Sequence, residues 1–221
     1  MTSTDHSLTI IAVLAGVLVA AASAGTVLWV RRRSAARRAA ELHDLRQAAY
    51  RDPLTGLGNR AAFQQLMAAP DSRRSIVILL NIDNHRQYLQ QVGSRAFDEA
   101  FTLIAGRVRF EATRAGGHAF RLRRDEIAVV CCAPPRHSAA DRRRDDVIAV
   151  LAGRLVAAVQ AATSGTGAQG GVAMRARAGV ATAPGHTEPD GRLVLAHADL
   201  ALRYAKRSGA AWVRHPAPPT S

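Results

Sequence analysis

Residues 118–132, HAFRLRRDEIAVVCC, decide the fold. His118 to Leu122 and Glu126 to Cys132 are two runs of apolar, β-branched and aromatic residues, the composition of strands. Only Arg123, Arg124 and Asp125 separate them, so they predict a hairpin with a tight turn. Working outward, Ser75 to Ile82 (SIVILLNI) is a continuous apolar run, the pattern of a strand covered on both faces. Helices are predicted from Asn59, as cap, to Met67 and from Asn84, as cap, to Val92. Phe97, Ala100, Phe101, Ile104 and Val108 recur at helical spacing, and Val147, Leu151, Leu155 and Val159 mark a further amphipathic helix. After a Gly-rich loop from Ser164 to Gly171, Val172 to Thr182 reads as a strand and Leu193 to Arg207 as a helix, with Gly209 suited to the C′ position. Ala211 to Arg214 reads as an edge strand. The order β-α-α-β-β-α-β-α-β predicts an α/β fold, an α+β sandwich with a central sheet flanked by helices.

The N-terminal part has a different character. From Leu8 to Val30 no residue is charged, and at about 1.5 Å per residue such a helix spans a hydrocarbon core of roughly 30 Å. Trp29 stands at its end, and Arg31, Arg32, Arg33, Arg37 and Arg38 follow. Residues 1–7 carry no Lys or Arg, so the positive-inside rule predicts a short extracytoplasmic leader, one transmembrane helix over 8–30 and everything after it in the cytoplasm. A cleaved signal peptide is the competing reading; it calls for a basic start and a shorter apolar core. Gly16, Ala20 and Ala24 form either a small-residue face for helix pairing or a chance spacing in an Ala-rich helix. No sensor domain fits ahead of Leu8. Residues 31–50 contain no Gly or Pro and predict a basic helical linker, with Leu42, Leu45 and Ala49 on one stripe. Residues 215–221 read as a disordered tail.

The formal net charge is +13, and Lys206 is the single lysine. A basic surface favours acidic neighbours such as anionic lipid or nucleotide. No helix-turn-helix, zinc-finger or other nucleic-acid motif is present, which argues against nucleic acid as a partner. Cys131 and Cys132 are adjacent in a strand, so their side chains point to opposite faces and predict free thiols. His85, His118 and His197 have no partner at metal-ligand spacing and read as surface or core residues.

From Asp52 onward the chain resembles the GGDEF family, the fold of the diguanylate cyclases. Asp52-Pro-Leu-Thr-Gly-Leu-Gly-Asn-Arg60 is similar to the opening signature D-x-L-T-G-L-x-N-R. Leu79-Leu80-Asn81-Ile82-Asp83 stands at the metal-binding strand end, and Gly93 to Glu99 resembles G-H-x-x-G-D. Arg121 to Ile127 occupies the place of R-x-G-G-D-E-F, and Ala198-Asp199 with Ala205 to Gly209 resembles the closing motif. The resemblance implies a degenerate domain of this family over residues 51–214. Active members condense two GTP molecules into cyclic di-GMP, one GTP on each half of a dimer, with divalent cations held by carboxylates.

Carried over residue by residue, the resemblance implies Asp125 as a metal ligand and Glu126 as a vestigial catalytic candidate. Asn81 marks the position of a lost metal carboxylate. Asp98, Arg86 and Lys206 are the nucleotide-binding candidates, while Leu89 stands where the guanine-reading Asn belongs. Arg123 and Arg124 replace two glycines; they are either a solvated turn or phosphate binders in a changed geometry. Asp83 is either a substitute metal ligand beside Asp125 or a turn residue before the helix from Asn84. Ala210 replaces a phosphate-binding Arg, and Gly117 replaces the Asp of the product-inhibition motif R-x-x-D begun by Arg114.

The losses imply a membrane-anchored module in cyclic di-GMP-related signalling in the bacterial cytoplasmic membrane. It would be catalytically inactive and act by binding or dimerisation, as a homodimer or with another signalling protein. The alternatives are an active or weakly active diguanylate cyclase, with Mg²⁺ as cofactor, or a GTP sensor.

Overall fold

The computed structural model describes residues 29, 31–35, 37–38, 41, 44–45, 48–69, 75–132, 140–164, 173–183 and 191–216. The chain divides into two compact units, Met1–Ala49 and Tyr50–Ser221. In the first, the described residues are helical, as the linker composition predicts. The Arg33 guanidinium lies 5.0 Å from the centre of the Trp29 ring. Leu45 of the expected stripe is exposed, while Leu42, the leader and all of the 8–30 run except Trp29 lie outside the described residues. Among the described residues, no helix is long and apolar enough to cross a membrane.

The second unit is built as α1 (Arg60–Ala68), β1 (Ser75–Ile82), α2 (His85–Arg114), β2 (His118–Arg123), β3 (Glu126–Cys132), α3 (Ala140–Ser164), β4 (Ala176–Thr182), α4 (Gly191–Ser208) and β5 (Trp212–Arg214). The five strands stand in the order β2-β3-β1-β4-β5. β1 runs antiparallel to both β3 and β4, and only β5 joins in parallel, beside β4. The register places Asn81 opposite Glu126 on one side and Arg177 on the other.

Every residue of β1 is buried, because helices cover both faces of the sheet. Ile76, Ile78, Leu80 and Ile82 meet Phe97, Phe101 and Ile104 of α2 and Leu155 and Val159 of α3. Val77 and Leu79 face the other way, onto Phe63 and Met67 of α1 and Val194, Ala198 and Leu202 of α4. Each such side chain contributes roughly 1.5–3 kcal/mol on leaving water, so a run without polar alternation has burial on both faces as its stable outcome. α4 lies so near β4 that a Cβ on Gly179 would stand 2.0 Å from the Ala198 carbonyl oxygen.

Several local expectations are met and others corrected. The Asn59 side chain accepts from the Ala62 amide at 3.0 Å and caps α1. Gly209 takes φ +77° after α4. Cys131 and Cys132 are free thiols, one buried and one exposed. The two helices predicted after β1 follow each other without a loop: Gly93, at φ +81°, kinks the chain between them. Asn84 precedes this helix without capping it; its side chain instead bonds the Ala173 carbonyl and the Arg175 amide. In α3, Leu151, Leu155 and Val159 are buried as predicted, while Val147 is exposed and Ile148 takes the inward place at the start of the stripe. β4 begins at Ala176, later than the predicted Val172. Residues 165–172, most of the Gly-rich loop, and 217–221 of the tail lie outside the described residues.

Candidate functional site

The string Asp52 to Arg60 braces the hairpin. Asp52 Oδ1 accepts from the Thr55 amide at 2.9 Å and the Thr55 hydroxyl at 2.6 Å. Arg121 Nη1 donates to the same carboxylate at 3.1 Å. Burial alone would push the Asp52 carboxyl up, but the Thr55 and Arg121 hydrogen bonds outweigh it and hold the group below the ordinary value. Gly58 passes against β2, with its carbonyl accepting from the Arg121 amide at 2.7 Å. A Cβ there would stand 2.4 Å from the Phe120 ring, so the position has room for glycine alone.

Arg121 also shapes the turn. Its Nε donates to the Arg123 carbonyl at 3.3 Å and its Nη2 to the Arg124 carbonyl at 3.1 Å. Arg123 and Arg124 are exposed, and the Arg124 guanidinium lies 5.5 Å from the Phe97 ring centre. Among the described residues, φ is positive at glycines alone. The turn therefore does not need glycine for its backbone, and what the two arginines add is side-chain bulk over the turn.

Behind the turn lies a closed set of polar side chains at the end of β1. The Asn81 amide nitrogen donates to Asp125 Oδ2 at 2.9 Å, and Asn81 Oδ1 accepts from Lys206 Nζ at 2.6 Å. This amide orientation is the consistent one, since a carboxylate only accepts and an ammonium only donates. His85 Nδ1 lies 3.0 Å from the same Asp125 oxygen and 3.2 Å from the Ile82 carbonyl. Arg177, opposite Asn81 in the register, pairs with Asp83 Oδ2. Asp83 Oδ1 is buried without a hydrogen bond, with Lys206 Nζ 3.7 Å away. Asp83 is thus ion-paired, and no hydrogen bond links it to the helix that follows.

Residues 49–211 match the family described as "Diguanylate cyclase, GGDEF domain". The chain belongs to the GGDEF family. Its fold agrees with a sensory box/GGDEF family protein of Caulobacter crescentus, 32% identical with a TM-score of 0.60, over 72% of this chain and 99% of that one. The coiled coil and GGDEF domain of DgcB from the same organism, solved with cyclic di-GMP, gives a TM-score of 0.69 at 22% identity, over 87% of this chain and 99% of that one. An uncharacterized signaling protein of Caulobacter vibrioides is 34% identical over 182 residues, which are 78% of this chain and 21% of the relative. The chain thus spans about a fifth of that relative's length.

The motif resemblance puts the two carboxylates that would hold Mg²⁺ at the positions of Asn81 and Asp125. The residues present do not suit it. Asn81 turns its amide N–H group toward Asp125, its oxygen is taken by an ammonium, and Asp83 already has a guanidinium partner. Among the described residues, no three His, Cys, Asp or Glu side chains gather as a metal site. His85 and Arg177 are the members of this set that motif reading missed; the signal of His85 was only its place four residues beyond Asn81, and Arg177 lies in no motif.

The other motif residues are spread around this set. Glu126 points to the α1 and α4 side, 3.5 Å from the Arg123 guanidinium, and burial pushes its carboxyl up. It borders a cavity of about 790 Å³ that also touches Arg60, Leu79, Arg192, Asp199 and Arg203. Arg86 is exposed on the first turn of α2. Leu89 packs against the main core, while Asp98 is half-buried beyond the Gly93 kink. Gly117 faces the Cys131 sulfur and the Val130 carbonyl, where a Cβ would stand 2.4 and 2.6 Å away.

Proposed function

We propose that this chain is a membrane-anchored member of the GGDEF family that serves cyclic di-GMP signalling without cyclase chemistry, as a regulatory binding or dimerisation module. One observation carries the reading: Asp125, the remaining metal-position carboxylate, accepts a hydrogen bond from Asn81 and lies against His85. Cyclisation requires divalent cations to neutralise phosphate charge and polarise the reacting oxygens. A cation at Asp125 finds Oδ2 already taken by both neighbours and gains no second carboxylate from Asn81. The two arginines over the turn and Leu89 at the guanine-reading position work in the same direction.

The anchor rests on the uncharged run from Leu8 to Val30 and the arginines that follow. A domain that keeps its packed core and its place beside the membrane retains surfaces for a partner, whether a second copy or another signalling protein.

The test is incubation of the full chain, in detergent, with GTP and Mg²⁺ or Mn²⁺ at high protein concentration, followed by mass spectrometry for cyclic di-GMP. No product above an Asp125→Ala control is the expected result. Product above that control would overturn the inactive reading.

A further inference from the structure

We infer that the cation position of this site is filled from within the chain, by the Lys206 ammonium, so that the site recruits no divalent ion. The inference deepens the inactive reading and rests on the same assignment of Asn81 and Asp125 to the metal positions. It makes a separate claim, about what stands in the metal's place.

The geometry is specific. Lys206 reaches from the last turn of α4 to the end of β1, across 125 residues of sequence, and donates to Asn81 Oδ1 at 2.6 Å. Its ammonium is also the cation 3.7 Å from Asp83 Oδ1, the buried oxygen that lacks a hydrogen bond. Arg177 closes the other oxygen of Asp83, and His85 and the Asn81 amide close one oxygen of Asp125. Each carboxylate of the set therefore has a nitrogen partner, and these partners belong to four different elements.

Charge explains why Asn81 and Lys206 belong together. A carboxylate in place of the Asn81 amide, beside Asp83 and Asp125, would put three negative charges at one strand end, which is stable only with strong positive charge among them. With Asn, two carboxylates remain, and they face Lys206 and Arg177. Asn also offers an N–H to Asp125 and a C=O to Lys206 at once, which an aspartate cannot do. The neutral residue at this position is thus the linker of an internal ion-pair network rather than a gap in a metal site. An acidic ligand reaching this strand end would meet an ammonium held by the protein instead of a metal bridging protein and phosphate.

The test measures metal directly, without GTP. The full chain in detergent is titrated with Mn²⁺ and followed by electron paramagnetic resonance, and its thermal midpoint is read in Mg²⁺, in Mn²⁺ and in EDTA. An ion that binds the folded state alone raises the midpoint by several degrees at about 100 times Kd. The wild type is expected to bind no Mn²⁺ at low millimolar concentration and to melt at one temperature in all three conditions. Asn81→Asp, and more strongly Asn81→Asp with Lys206→Met, is expected to bind Mn²⁺ and to melt higher with metal than with EDTA. Stoichiometric Mn²⁺ on the wild type overturns the inference. So does a folded double variant, by circular dichroism, that still binds none, since the side chains named would then not control the site. The cyclic di-GMP assay is independent: an inactive wild type that binds Mn²⁺ removes this inference alone, and product from a wild type that binds none removes the inactive reading alone.

Discussion

Arg121 holds Asp52 from 69 residues away, with Nη1 at 3.1 Å from one carboxylate oxygen and 3.3 Å from the other. The same guanidinium lies 4.6 Å from the Phe101 ring centre and bonds the carbonyls of Arg123 and Arg124. One side chain thus joins the opening string, the core of α2 and the hairpin turn. Arg121→Ala leaves a half-buried carboxylate without its cation and frees two turn carbonyls. Losing a hydrogen bond to a charged group costs about 1.5–3 kcal/mol, and a urea titration is expected to show a loss of that order. Arg121→Lys is expected to recover only part of it, because an ammonium cannot reproduce the planar fork.

Asp52 gives this brace a pH dependence. Its folded carboxyl lies below the ordinary value of 3.8, so its contribution to stability is fully present above that value and is lost as the pH falls through the folded value. Asp52→Asn removes the dependence. The stability gap between wild type and Asp52→Asn is expected to be constant at neutral pH and to narrow on acidification below the ordinary carboxyl value, measured as urea midpoints across the acid range.

Glu126 behaves with the opposite sign. Burial, the largest cause, raises its carboxyl above 4.5 despite the attraction of Arg123, with Asp125 and Asp199 adding to the rise. A carboxyl raised in the folded state favours folding below its unfolded value and opposes it once the pH passes the folded value. Glu126→Gln is therefore expected to melt higher than wild type at neutral pH, with the gain fading as both proteins are taken below the ordinary Glu range. A lower midpoint for Glu126→Gln at neutral pH would show that the charged form is the favoured one.

The sheet was legible in the sequence because burial leaves a direct imprint. SIVILLNI has no polar alternation, and β1 is covered on both faces. The hairpin was legible because three residues between two strands permit little else. The stripe of α3 was harder: Val147 and Ile148 are adjacent and both apolar, and only packing against α2 decides which turns inward. At the site, motif spacing located Asn81, Asp83, Asp125 and Lys206, but not their connections. Whether Asp83 faces a metal, a helix amide or Arg177 depends on the pairing of β1 with β4, and the register is a property of two strands together. His85 has no pattern of its own and acquires a role only from the carboxylate placed 3.0 Å away.

At Gly117, where the resemblance puts the Asp of the inhibition motif, the packing leaves no room for a side chain. The buried glycine backbone lies against β3, and any Cβ would stand 2.4 Å from the Cys131 sulfur and 2.6 Å from the Val130 carbonyl oxygen. Overpacking of this kind costs typically about 1–3 kcal/mol, and a carboxylate adds desolvation. Gly117→Asp is expected to lower the thermal midpoint and to gain no affinity for cyclic di-GMP by calorimetry. A folded Gly117→Asp protein that binds cyclic di-GMP more tightly than wild type would show that β2 and β3 separate readily at this point.

Restoring the catalytic residues separates the metal position from the base pocket. Asn81→Asp with Arg123→Gly and Arg124→Gly returns the carboxylate and removes the bulk over the turn, but Leu89 stays packed against the core where the family reads guanine. A missing hydrogen-bond partner costs about 1–3 kcal/mol, or roughly 5- to 160-fold in affinity. The triple variant is therefore expected to bind Mn²⁺ yet to make no cyclic di-GMP at GTP concentrations that saturate active members. Addition of Leu89→Asn, with Asp98 already present, is the change expected to bring product, followed by mass spectrometry over time. Product from the triple variant alone would show that Leu89 does not block the base. Absence of product from a folded quadruple variant would place the remaining defect at Ala210 and in how two copies meet, where a second GTP has to be presented.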